Sequence, residues 1–353
     1  MISYGISQLF VGSLLDSFGR FRPGIIALLL FAAASLAVAL SNNIQLIYIM
    51  RVLQGIGVAF IVVGKRAYFV DRFSGEKLKH YTSLFSIIWA TAPIIAPFAG
   101  GYLQATFGWQ SNFYSLAILT LLLAALELVY GGESLKSFHL FRLKSITDVY
   151  LTMIKTADYI IGLVIIALCY ASLVVFGMTS PFIIEHVFHY SPVVTGYCSL
   201  FSGIALMCGG ITSKALIKKP FIKKITAAIS IQLTFAIIMI FTSGYAANIY
   251  TLMPFVLIIH FISGFLFNNF FSYCLGRFSA YAGIASGITG GALYVITSVF
   301  SYSIVHLVNI KNQSMLGGAY LGLALLLATF YFLFNKSLYG RQSNQLPAMA
   351  GAK

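Results

Sequence analysis

The chain has 353 residues, of which 59% are hydrophobic and only 8% charged, with a formal net charge of +14. A soluble domain covers its surface with roughly a quarter charged residues, so this composition excludes one and points to an all-α polytopic protein whose outer surface faces a bilayer. The apolar runs are too long for the alternating segments of about 10 residues that build a barrel. The positive charge lies between runs and not along one polar face, which argues against a nucleic-acid partner.

Eleven apolar runs follow in chain order, at 2–15, 23–40, 46–64, 83–105, 111–131, 159–179, 193–213, 225–244, 250–273, 283–308 and 315–335. Of the 22 Lys and Arg residues, 20 fall in alternate loops: Arg20 and Arg22, then 65–79, 136–155, 214–224, Arg277, and the segment after residue 335. The opposite loops hold Lys311, and Arg51 lies inside the third run. An excess of Lys and Arg marks cytoplasmic loops, so the C-terminus is expected in the cytoplasm and Met1 outside. The first run would then have to insert unaided, which leads to the expectation that one helix is missing from the front. Residues 132–158 are the longest polar stretch. Phe138, Leu140, Leu143, Ile146, Val149 and Met153 recur there at helical spacing, as in a helix lying at the cytoplasmic interface. The predicted organisation is five helices over 1–131, an interfacial linker over 132–158, six helices over 159–335, and a cytoplasmic tail over 336–353.

Three motifs carry chemistry. The loop after the first run reads GSLLDSFGRFRP from Gly12 to Pro23. It resembles the loop signature of the major facilitator superfamily, with Gly12, Leu14, Asp16, Gly19, Arg20 and Arg22 in place and with Ser17 and Phe21 where that family usually has basic residues. The resemblance implies a latch on the cytoplasmic face. In it Asp16 faces the N-terminus of the helix starting near Gly283, and Arg20 pairs with Asp71. The third run reads LIYIMRVLQGIGVAF and is similar to the fourth-helix motif of the same family through Arg51, Gln54, Gly55 and Gly57. An arginine in a bilayer costs several kcal/mol (about 2.5–3.5 on insertion scales) and is a functional hypothesis by default. It lies roughly 8 Å from the outer end of the run, where snorkelling competes. In the family this arginine, here with Gln54, couples proton transfer to transport beside an acid on the first helix. The fourth run contains ATAPIIAPFAGGYL, resembling the antiporter motif of drug-exporting members. Pro93, Pro97, Gly100 and Gly101 suit a bendable, closely packed hinge helix.

The combination resembles the bicyclomycin-resistance-type branch of drug exporters, over nearly the whole chain from residue 2 to about 335. A two-bundle helical fold with about 11 membrane helices is the fold this implies, in a bacterial inner membrane and as a monomer. Gly283, Gly287 and Gly291 at spacing four add a close-packing ridge to the tenth run. Trp89, Tyr170, Phe176, Asn268, Asn269 and Tyr294, beside Gln54, are the candidates for a substrate pocket; asparagines in an apolar helix need partners.

The remaining polar residues carry less. Glu127 is the acid set well inside a run, near its cytoplasmic end, where snorkelling is the simpler reading. His260 and His306 could titrate, although a satisfied histidine is the plainer reading. Cys169, Cys198, Cys208 and Cys274 lie in apolar runs with no CxxC pair and read as buried thiols. The sequence has no HExxH, no paired acids and no P-loop. Neither an enzyme nor a metal or organic cofactor is therefore implied. Three readings stay open: a proton-coupled exporter of drug-like amphipathic molecules, an exporter of a native metabolite or siderophore, and a truncated membrane protein that does not transport.

Overall fold

A computed structural model describes residues 1–73, 77, 91–92, 95–135, 151–278 and 282–350. Among the described residues there is no strand. The helices are α1 (Ile2–Phe18), α2 (Phe21–Leu40), α3 (Ile44–Arg72), α4 (helical over 95–107), α5 (Gln110–Tyr130), α6 (Ala157–Pro181), α7 (Pro192–Ala215), α8 (Phe221–Tyr245), α9 (Ile249–Arg277), α10 (Ala282–Val308) and α11 (Gln313–Ala350). A π-helical turn over Phe182–Val187 follows α6 at Pro181. Among the described residues, nine helices are long and apolar enough to cross a membrane. The 17-residue α1 falls short of the roughly 20 residues a span needs.

The helix starts follow local chemistry. Asn43 caps α3, its side chain accepting from the backbone N–H groups of Gln45 and Leu46 at 2.9 and 3.4 Å. Asn248 and Thr251 form a capping box at the start of α9. Gly19, at φ 85°, makes the tight turn between α1 and α2. Two helices overrun their predicted ends. The third run was expected over 46–64, yet α3 continues through Lys65 and Arg66 to Arg72, a stretch with no Gly or Pro to break it. The segment expected as a tail over 336–353 is helical as far as Ala350. Of the linker expected over 132–158, residues 136–150 lie outside the described residues, 151–154 are helical and α6 begins at Ala157.

Contacts divide the chain into two compact units. The first comprises Met1–Leu143 together with Ser191–Leu200 and Gly290–Val295. Inside it α3 packs against both α1 and α2, and α2 against α5. Tyr4, Val11, Leu15 and Ala59 form a core cluster in it, flanked by Val58, Phe60, Val63 and Tyr294. Close approach needs small residues here. A Cβ at Gly5 would lie 2.8 Å from the carbonyl of Gly291, and one at Gly55 would run into the Ser3 side chain. Much of α5 is exposed, with Ile118, Leu119 and Leu122 all open, as lipid-facing side chains are.

The second unit comprises Lys144–Tyr190, Phe201–Thr289 and Ile296–Lys353. In it α6 packs on α9 and α11, and α8 on α9 and α11. Its interior is more completely closed: Tyr159, Leu163, Ile166, Phe176, Phe270, Tyr320 and Phe334 are all buried. Gly209 of α7 and Gly264 of α9 meet with no room for a Cβ on either, against the carbonyls of Phe261 and Leu206. Such contacts let two helices bury backbone against backbone where dispersion, not water expulsion, drives association.

Candidate functional site

A polar network in the first unit surrounds Arg20, which the Gly19 turn delivers to the start of α2. One guanidinium nitrogen donates to Asp16 Oδ1 at 3.0 Å. Its Nε lies 3.0 Å from Asp71 Oδ2, an ion pair by distance without hydrogen-bond alignment. Asp71 belongs to the overrun of α3, so the extra turns of that helix are what bring the acid to the arginine. Ser134 Oγ donates to the same Asp71 oxygen at 2.9 Å. The carboxylate of Glu133 accepts from the backbone N–H groups of Arg20 at 2.9 Å and Phe21 at 3.1 Å. It also accepts from the N–H groups of Ser134 and Leu135. Burial by itself would raise the Glu133 pKa, but four N–H donors hold it below the ordinary carboxylate value. Arg22 is exposed on the first turn of α2, and Gly12 faces open space.

Beside this network lies a shallow open cleft lined by Arg20, Phe21, Phe60, Lys65, Glu127 and others. Lys65 and Glu127 pair across it. Glu127 is therefore an ion-pair partner on α5, which explains how an acid persists inside an apolar run.

A second polar chain runs through α3. Arg51 donates to Gln54 Oε1 at 3.2 Å, Gln54 donates to Ser35 Oγ at 2.8 Å, and Ser35 donates to the carbonyl of Phe31 at 2.8 Å. The Arg51 guanidinium also stands 4.7 Å from the centroid of the Phe113 ring. Among the described residues, no carboxylate lies within ion-pair distance of it.

Helix α4, with Pro97, packs its small face on the start of α7. A Cβ at Gly101 would lie 2.6 Å from the carbonyl of Pro192, and one at Gly196 would lie 3.2 Å from that of Pro97. Phe98 meets Tyr197 edge-on at 4.9 Å, and the Tyr102 and Tyr197 hydroxyls are 2.9 Å apart. Gly100 turns instead to Asn112, whose side chain donates to its carbonyl at 3.4 Å.

These loops, the arginine chain and the Pro–Gly helix match a known family along most of the chain. The family model described as the Major Facilitator Superfamily matches residues 1–302. The chain belongs to the major facilitator superfamily. It is 28% identical over 314 residues to the "Uncharacterized MFS-type transporter YdgK" of Bacillus subtilis, covering 85% of this chain and 76% of that protein. It is 27% identical over 338 residues to the "Multidrug resistance protein MdtL" of Shewanella sp. (strain ANA-3), covering 91% and 82%. To the "Bicyclomycin resistance protein homolog" of Haemophilus influenzae it is 33% identical over 126 residues, 35% of this chain and 32% of that one. The fold is similar to that of a D-xylose-proton symporter, at a TM-score of 0.65 and 16% identity, covering 93% of this chain and 86% of the other. This is a multi-pass membrane transporter of that superfamily, and not an enzyme.

Of the other residues that resemblance singles out, Trp89 and Pro93 lie outside the described residues. Gly283 and Gly287 sit in the first turns of α10. A Cβ at Gly291 would lie 2.9 Å from the carbonyl of Gly5 on α1. Asp16 pairs with Arg20; residues 279–281, just before the helix start that it was expected to face, lie outside the described residues. Tyr294 packs edge-on to Tyr4 at 4.8 Å. In the second unit, Tyr170 tilts toward Phe267 at 6.2 Å, and buried Phe176 lies against His260. Asn268 donates to the Gly210 carbonyl at 3.2 Å and to Ser213 Oγ at 3.3 Å, and Asn269 to the carbonyl of Phe265 in its own helix at 2.8 Å. His260 is fully buried, with Nε2 3.1 Å from the Tyr320 hydroxyl.

Three features escaped sequence reasoning. Asp158, buried in the first turn of α6, accepts from Arg277 Nε at 2.8 Å and from the Tyr273 hydroxyl at 2.7 Å. A separation of 119 residues leaves no local spacing to find it by. The Gly209–Gly264 crossing joins glycines of two helices that no local motif links. Glu133 had a local signal, an acid directly after a helix, but nothing marks its partner in sequence.

Proposed function

We propose that this transporter is a proton-coupled exporter of drug-like or other small amphipathic molecules, working by alternating access of two helical bundles. The observation that carries the reading is the chain from Arg51 through Gln54 to Ser35, a cation held at a fixed place inside an apolar helix. An intramembrane charge is costly enough to need a use, and proton coupling is that use. The multidrug-resistance names of relatives that cover most of the chain support the substrate class. Arg20, Asp16 and Asp71 form the latch that closes the basic face in one half of the cycle, and Pro97, Gly100 and Gly101 the helix that bends. The basic loops, which hold 20 of the 22 cations, support a cytoplasmic C-terminus in a bacterial inner membrane. A monomer suffices for this cycle.

The test uses the purified chain in proteoliposomes containing a pH-sensitive dye, under an imposed proton gradient. A panel of amphipathic cationic drugs, metabolites and siderophores is added in turn. The expected result is proton flux stimulated by drug-like compounds. Stimulation by metabolites or siderophores alone overturns the substrate class. Folded protein that moves protons with no compound overturns coupled export.

A further inference from the structure

Helix α2 begins without a cap of its own. Its N-cap residue is Arg20, whose side chain makes no capping bond because it is turned to Asp16 and Asp71. The first N–H groups of a helix are orphans unless something outside the helix accepts from them. The group that does so comes from 112 residues away: Glu133 takes the N–H of Phe21 and, with both oxygens, the N–H of Arg20. A carboxylate there also meets the positive end of the helix dipole. The next residue, Ser134, holds the Asp71 carboxylate. Two consecutive side chains just after α5 thus grip both halves of the ion pair, one through the arginine's backbone and the other through the aspartate's side chain. The loop has Ser17 and Phe21 where the family signature usually carries basic residues, so a smaller set of charges is left to hold it.

We infer that Glu133 and Ser134 form a strap that positions the Arg20–Asp71 pair, so that the segment leading out of α5 controls whether the pair can close. This rests on the reading of Arg20, Asp16 and Asp71 as a latch. Neither residue touches substrate; each is a positioning residue. With the strap in place, the backbone of Arg20 is fixed at the Gly19 turn and its guanidinium falls between the two aspartates. With the strap gone, α2 loses its cap and Asp71 loses a donor.

The experiment is amide hydrogen exchange on the full chain in lipid nanodiscs. It compares wild type with Glu133→Ala, Glu133→Gln, Ser134→Ala and Arg20→Ala, after correction for intrinsic exchange at each pH. Glu133→Ala is expected to speed exchange at Arg20 and Phe21 about fivefold, the scale of one lost N-cap. It is also expected to loosen the last turn of α3, around Asp71. Glu133→Gln, which keeps one acceptor oxygen, falls between. In wild type the protection of those two amides is lost as pH drops through the lowered Glu133 pKa, and in Glu133→Gln it does not titrate. Unchanged amides in Glu133→Ala overturn the strap. Freed amides with an unaltered α3 end reduce Glu133 to a cap and overturn positioning. An unaltered α3 end in Arg20→Ala, with the Glu133 effect on the loop intact, instead overturns the latch on which the strap was built.

Discussion

Among the described residues, each unit has an arginine bound to aspartate near a helix end, and the two arrangements are built differently. Arg20 in the first unit is shared between Asp16, whose side chain is 48% exposed, and Asp71, at 18%. Its loop is also held by backbone contacts to Glu133. Arg277 in the second unit pairs with Asp158, whose side chain is 5% exposed. The Tyr273 hydroxyl donates to the same carboxylate. A shared, half-wet network can be opened and remade at modest cost, because water replaces each partner as it leaves. A buried pair cannot, because losing either partner strands a charge. The first arrangement suits a part that moves and the second a part that stays shut.

The largest expected effect is on the second. Arg277→Ala removes the cation paired with buried Asp158 and should cost roughly 3 kcal/mol of stability, against about 1 kcal/mol for Arg20→Ala. Thermal unfolding of both variants in the same detergent reads the difference, and equal losses would break the comparison. A smaller effect sharpens it. Because the Glu133 pKa is depressed in the folded state, its contribution is fully present above the ordinary carboxylate value of 4.5 and is lost as pH falls through the lowered one. Unfolding midpoints should therefore drop slightly more steeply with acid in wild type than in Glu133→Gln. Parallel curves would show that the Glu133 contacts carry no free energy.

Much of the fold was legible because the bilayer leaves few choices. Each apolar run long enough to span must satisfy its backbone as a helix, and every run that lies within the described residues is one. The ends were less legible. Periodicity marks where apolar residues stop, whereas α3 stops where its hydrogen bonding stops, two turns later at Arg72. That overrun is what makes Asp71 a helix residue within reach of Arg20. Arg20, Asp16 and Asp71 could be named because the loop motif is local. Asp158, Tyr273 and Arg277 could not, since only the folded packing of α6 on α9 joins them. Asn269 shows the limit of composition: an amide in an apolar helix signalled a need for a partner, and its own helix supplies one.

The central claim is that Arg51 couples proton movement to export. The direct measurement is efflux of a compound that stimulates proton flux in the wild type, repeated with Arg51→Ala at matched amounts of inserted protein. The expected result is normal insertion with proton-driven efflux abolished. Efflux at the wild-type rate from the Arg51→Ala protein would contradict the account.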